Sequence, residues 1–175
     1  MNEKITVLID EDTVDARIKE IAEQISKDYD NKEVRLICIL KGSVFYTAEL
    51  AKRLTIPTTI DFMKVSSYGS DTVSSGNIEI KKDLDDSIEG LDVIVVEDII
   101  DSGHTLEQLI PELKKRNPRS IAVTTLLDKP SRREVDVNVD YIGFEVEDKF
   151  VVGYGLDYDQ SYRDLPFIGV VELED

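Results

Sequence analysis

The segment from Val93 to Thr105, Val-Ile-Val-Val-Glu-Asp-Ile-Ile-Asp-Ser-Gly-His-Thr, constrains the fold more than any other part of the chain. An unbroken β-branched run predicts a strand buried on both faces, the kind found inside a parallel sheet. Such a strand delivers the residues after it to the carboxyl edge, where open α/β sheets bind ligands. Here those residues are Asp101-Ser102-Gly103-His104-Thr105, and a helical pattern comes next. Successive backbone N–H groups, hydroxyls and a helix N-terminus together cradle anions. Glu97, Asp98 and Asp101 beside that cradle would repel a bare polyphosphate. They suit a ligand with ribose hydroxyls, a bridging cation or a proton to exchange. The combination points to a sugar phosphate accompanied by Mg²⁺.

The flanking sequence repeats the strand–helix alternation. Asp12 or Thr13 can cap a helix in which Val14, Ile18, Ile21, Ala22 and Ile25 recur at helical spacing. Val34 to Leu40 reads as a strand, and Lys41-Gly42-Ser43 turns it into a helix carrying Val44, Ala48, Leu50, Ala51 and Leu54. Thr58 to Val65, Val93 to Val96 and Ile121 to Leu127 are further strands. Residues 66–77, rich in Ser and Gly, read as a mobile loop or hairpin arch ending at Ile78-Glu79-Ile80. A helix over 105–116 contains Pro111, which should bend or divide it. The alternation predicts an α/β fold, a parallel sheet with helices on both faces. After Asp128 the pattern becomes short and irregular, predicting a small lobe over the carboxyl edge. Residues 1–175 therefore form one domain, with a core of about 1–128 and 165–175 and a lobe of about 129–164.

With 175 residues the chain suffices for one well-buried domain. A formal net charge of −16 disfavours attraction to nucleic acid or anionic membranes, both of which need a basic footprint. No stretch has transmembrane length. Cys38 is the single cysteine, so no intrachain disulfide forms, and its apolar neighbours make it a core residue. The chain reads as cytoplasmic.

The segment 93–105 resembles the phosphoribosyl-pyrophosphate signature of the type I phosphoribosyltransferases, and its Glu97-Asp98 and Asp101 resemble the hypoxanthine-guanine branch. Taken alone, Asp101 or Ser102 could be only a helix cap and Gly42 only a turn residue. The resemblance implies more. Asp101 would exchange a proton with purine N7. Glu97 and Asp98 would hold the ribose hydroxyls, directly or through Mg²⁺. Ser102, Gly103, His104 and Thr105 would wrap the 5′-phosphate of 5-phosphoribosyl pyrophosphate (PRPP). His104 stands where relatives often carry Lys or Arg, so it would act mainly through its backbone.

The resemblance extends to Lys41-Gly42, as the pyrophosphate loop with a cis Leu40–Lys41 peptide, and to Ser67-Tyr68, as a closing loop. It also covers Lys129, Phe150, Val151, Asp157 and Arg163. Lys129 would donate to a 6-oxo group, Phe150 would stack on the purine, and the Val151 backbone would meet the base edge. Asp157 would lie beside the base and help hold a second Mg²⁺, while Arg163 would reach the pyrophosphate. By itself, Phe150 before two valines reads as core. The family further implies a homodimer or homotetramer acting on PRPP and hypoxanthine or guanine, with xanthine left open. Two other readings stand beside it. One is a PRPP-sensing regulator that binds nucleic acid, which needs a basic face. The other is a pyrimidine-specific transferase, against which Lys129 and Phe150-Val151 argue.

Overall fold

The computed structural model describes residues 2–67 and 77–174. In chain order its elements are β1 (Asn2–Ile9), α1 (Glu11–Asp28), β2 (Val34–Ile39), α2 (Val44–Arg53), β3 (Thr58–Ser67) and β4 (Ile78–Lys82). They continue with β5 (Asp92–Ile100), α3 (His104–Lys114), β6 (Ser120–Asp128), a 3-10 turn at Pro130–Arg132, β7 (Tyr141–Glu145), β8 (Val151–Val152) and β9 (Ile168–Glu174). Six strands form one sheet in the order β4-β3-β2-β5-β6-β7. All neighbours pair in parallel except β3 and β4.

The β-branched run explains the centre of this sheet. In β5, Ile94 and Val96 pack towards α1 and α2, whereas Val93 and Val95 pack against the α3 side. β2 divides the same way, with Leu36 on one face and Ile37 and Ile39 on the other. Alternation of Cβ directions along a strand makes such a run compulsory when both faces are covered. Strand order reverses between β2 and β5, so the loops leaving those two strands diverge. That opening is the ligand crevice of open α/β sheets.

Four details differ from the sequence expectations. Helix α1 starts two residues earlier than expected: its cap is Asp10, whose carboxylate accepts from Thr13 N at 2.8 Å, not Asp12 or Thr13. All five of its anticipated apolar residues are buried. On α2 the inward face is Ser43, Tyr46, Thr47 and Leu50, while Val44 and Ala48 are exposed. Tyr46 can lie inside because its hydroxyl meets Thr124 Oγ1 at 2.6 Å. α3 is one continuous helix through Pro111, which does not divide it.

The fourth difference concerns the chain ends. β9, placed with the core by sequence, pairs antiparallel with β1 and β8 in a separate three-stranded sheet. The first strand and the last thus pair with each other and with β8, outside the six-stranded sheet. Their pairing spans nearly the whole chain length, which no local pattern encodes.

Candidate active site

The loops leaving β2 and β5 meet at the crevice. The Leu40–Lys41 peptide is cis. Beyond it, Gly42 packs so closely against Asp98 that an added Cβ would collide with that carboxylate. A third segment closes on the same point: a Cβ on Gly155 would overlap the Gly42 carbonyl oxygen. Two backbone stretches and the Asp98 carboxylate, far apart in sequence, therefore converge with no room for a further side chain at Gly42 or Gly155.

Below this junction lie two acids. Glu97 is 8% exposed and its carboxylate makes no hydrogen bond among the described residues. Burial, reinforced by the neighbouring Asp98 charge, raises its pKa well above the ordinary carboxylate range. Asp98 is pushed up to about 6, again mainly by burial, although its Oδ1 accepts from Ile99 N at 2.7 Å. Two adjacent acids disfavoured in their charged forms suit a cation or a set of donating hydroxyls. Hard carboxylate oxygens suit Mg²⁺ in particular. Among the described residues no three His, Cys, Asp or Glu side chains gather as a metal site, so Glu97, Asp98 and Asp157 do not form a preformed triad. Mg²⁺ ordinarily takes only one or two carboxylates and completes its shell with substrate phosphates and water. The pair present fits that pattern.

A cleft of about 300 Å³ opens beside them, lined in part by Glu97, Asp101, Ser102, Gly103 and Thr105. Gly103 stands at the N-cap of α3 with φ +91°, a left-handed conformation that favours glycine. As the cap residue, Gly103 offers the helix no side-chain hydrogen bond. Ser102 Oγ accepts from His104 N at 3.3 Å. The N–H groups of Thr105 and Leu106 have no backbone acceptor among the described residues. Unsatisfied first-turn donors are what an anion needs. The His104 ring is engaged elsewhere, with Nε2 2.6 Å from Glu134 Oε2 and Nδ1 3.6 Å from Glu107 Oε2.

On the opposite rim, Arg163 Nη1 donates to Gly155 O at 2.7 Å, and its Nη2 lies 3.4 Å from Asp157 Oδ2. Lys41 and Arg163 both donate to Gln160 Oε1. Lys129 begins the link between β6 and the small lobe. It is 8% exposed, its N–H donates to Ile100 O at 3.0 Å, and its Nζ is 3.7 Å from Asp148 Oδ1. Phe150 is 54% exposed and meets Tyr158 edge-on, with ring centroids 5.5 Å apart. It is therefore not core, whereas Val151 and Val152 are buried in β8. Ser67 ends β3, and Tyr68 lies outside the described residues.

Sequence reasoning missed Gly155, Gln160 and the pair formed by Arg133 and buried Asp128. Arg133 backs the loop: its Cδ would touch a Cβ at Gly103, while Glu134 N and Val135 N donate to Ser102 O at 3.0 and 3.3 Å. The Gly153-Tyr154-Gly155 spacing was a visible signal of tight backbone approach. Nothing local marks the others.

Comparison with known proteins gives the same picture. A family model described as "Phosphoribosyl transferase domain" matches residues 10–159. A hypoxanthine phosphoribosyltransferase of Buchnera aphidicola subsp. Schizaphis graminum is 49% identical over 173 residues, covering 98% of each chain. A hypoxanthine-guanine phosphoribosyltransferase of Bacillus subtilis is 48% identical, covering 95% of this chain and 92% of its own. A crystal structure of a hypoxanthine-guanine phosphoribosyltransferase from Bacillus anthracis superposes with a TM-score of 0.93 at 42% identity, covering 98% of this chain and all of the other. Among the described residues no helix is long and apolar enough to cross a membrane.

Proposed function

Given that the chain belongs to the phosphoribosyl transferase family, we propose that it transfers 5-phosphoribosyl from PRPP to hypoxanthine or guanine, giving IMP or GMP and pyrophosphate. It is a purine-salvage transferase of the type I fold. The observation that carries the reading is the crevice itself. One buried and one half-buried carboxylate, a glycine-capped helix N-terminus and two cationic side chains surround it.

Each part then has a task. The first turn of α3, with Ser102, Gly103, His104 and Thr105, takes the 5′-phosphate. Glu97 and Asp98 take the ribose hydroxyls or the cation they share. Lys41, Gly42 and Arg163 take the pyrophosphate. The family's activity needs a divalent metal, and Mg²⁺ is the ion these oxygen ligands suit, with Asp157 beside a second one. When bound, Mg²⁺ neutralises developing charge on the departing pyrophosphate. As a purine ring nitrogen forms its bond to ribose C1 and the C1–O bond to pyrophosphate breaks, Asp101 takes the proton from purine N7.

The base pocket sets specificity. Phe150, already exposed and braced by Tyr158, stacks on the purine, which by itself accepts many bases. The Val151 backbone meets the purine edge. Selectivity needs a polar partner, and Lys129 donates to the 6-oxo group that adenine lacks. Lys129 is held by a single carboxylate, that of Asp148, at a distance that leaves its other protons free. Lys129→Ala should shrink the preference for hypoxanthine over adenine, measured as the ratio of kcat/KM values, by roughly tenfold or more. An unchanged ratio would remove Lys129 from base recognition. The acidic surface and the intact Asp101 leave the nucleic-acid-binding regulator without support. The one division of the chain we favour is a sheet core and a lobe that carries Phe150 to Arg163 over the crevice.

A further inference from the structure

We infer that Gln160 is a positioning residue that holds the site for pyrophosphate before the ligand arrives. The inference rests on the reading of Lys41 and Arg163 as pyrophosphate ligands. Gln160 Oε1 accepts from Lys41 Nζ at 3.1 Å and from Arg163 Nη2 at 3.2 Å. Two cations from opposite rims of the crevice thus converge on one neutral oxygen. Two positive groups that close repel one another, and Lys41 is an exposed, flexible side chain free to swing into solvent. A shared acceptor between them removes the reason to separate. The amide oxygen occupies the place that a phosphate oxygen would take, and being uncharged it yields readily to a charged one.

The backbone of Gln160 is arranged for this role. Asp159 and Gln160 have φ of +49° and +68°, a left-handed stretch that side-chain-bearing residues seldom adopt. Gln160 N donates to Asp157 Oδ2 at 2.9 Å, which fixes the turn. The same Asp157 oxygen lies 3.4 Å from Arg163 Nη2. Asp157 therefore orients both the holder and one of the cations it holds. Gln160 is exposed and buries nothing, so its side chain has no packing duty that would explain the arrangement.

Steady-state kinetics with PRPP and hypoxanthine, on wild type, Gln160→Met, Gln160→Glu and Lys41→Met, tests this. Gln160→Met keeps length and shape without the acceptor. It should raise the KM for PRPP and the inhibition constant of pyrophosphate roughly fivefold, the loss of about one hydrogen bond. The hypoxanthine KM and the melting temperature should stay at wild-type values. Gln160→Glu keeps an acceptor but gives it a charge that does not yield to pyrophosphate, so it should raise the PRPP KM at least as far as Gln160→Met. Unchanged PRPP KM in Gln160→Met, with a raised one in Lys41→Met, would overturn the positioning role and leave the pyrophosphate reading standing. Unchanged values in both would overturn the two together. A parallel rise in hypoxanthine KM with a lowered melting temperature would make Gln160 structural and also overturn the inference.

Discussion

Replacing Asp101 by Asn should lower kcat about 10²–10⁴-fold while PRPP still binds within a few-fold of the wild-type affinity. The substitution keeps the side chain's size and its ability to accept a hydrogen bond, but an amide cannot carry away the N7 proton. Asp101 is exposed at the mouth of the cleft, immediately before Ser102-Gly103 and the first turn of α3. It is thus free to meet a base arriving from the side of Lys129 and Phe150. Glu97 and Asp98 are less suited to the same duty, because burial already disfavours their charged forms. Single-turnover rates with PRPP dissociation constants measured alongside separate the two effects. A kcat within about threefold of wild type would assign the proton transfer to another group.

The second large effect is expected at a residue that touches no substrate. Gly155→Ala should lower the melting temperature by roughly 5–15 °C and cut activity with it. Gly155 has φ +100°, where an L side chain is strained by about 1–3 kcal/mol. Its Cβ would also lie closer to the Gly42 carbonyl than the 3.0 Å that real Cβ atoms keep. The obstacle is backbone, so no rotamer change relieves it, and overpacking of this kind costs about 1–3 kcal/mol more. Relief requires the lobe or the pyrophosphate loop to move. Either movement displaces Arg163, which donates to Gly155 O, and Asp98, which packs on Gly42. Thermal denaturation with and without PRPP reads the effect, and a melting point within about 2 °C of wild type would show that the contact is not tight.

These two residues illustrate what a sequence discloses. The place of Asp101 was legible because it is local, after an apolar strand and before Ser-Gly and a helix, whereas its role in proton transfer came only from the family motif. The same applies to Glu97, Asp98 and the loop after β2. All three depend on strand direction in a parallel sheet, which β-branched runs encode directly. Gly155 and Gln160 were not legible, because their roles exist only when β2, β5 and the segment after β8 meet. The β1–β9 sheet escaped for the same reason: β1 carries no buried apolar run, with Lys4, Thr6, Val7 and Leu8 all exposed.

Two intermediate cases are instructive. Phe150 sits in an apolar triplet that pattern alone assigns to the core, yet it is the exposed member, and only the family motif pointed to stacking. On α2 the hydrophobic reading chose Val44 and Ala48 over Tyr46 and Thr47. Ser43, Tyr46, Thr47 and Leu50 follow the i, i+3, i+4, i+7 spacing of one helix face. Amphipathic side chains can occupy such a face when partners satisfy their polar ends, as Thr124 does for Tyr46.

The most direct test of the central claim is nucleotide formation by the purified protein from PRPP and Mg²⁺, with hypoxanthine, guanine, xanthine, adenine and uracil offered side by side. The account predicts IMP and GMP with stoichiometric pyrophosphate, and no product from adenine or uracil. Xanthosine monophosphate would extend the 6-oxopurine range without altering the mechanism. Adenine or uracil used as well as hypoxanthine, or PRPP bound tightly with no base converted, would contradict it.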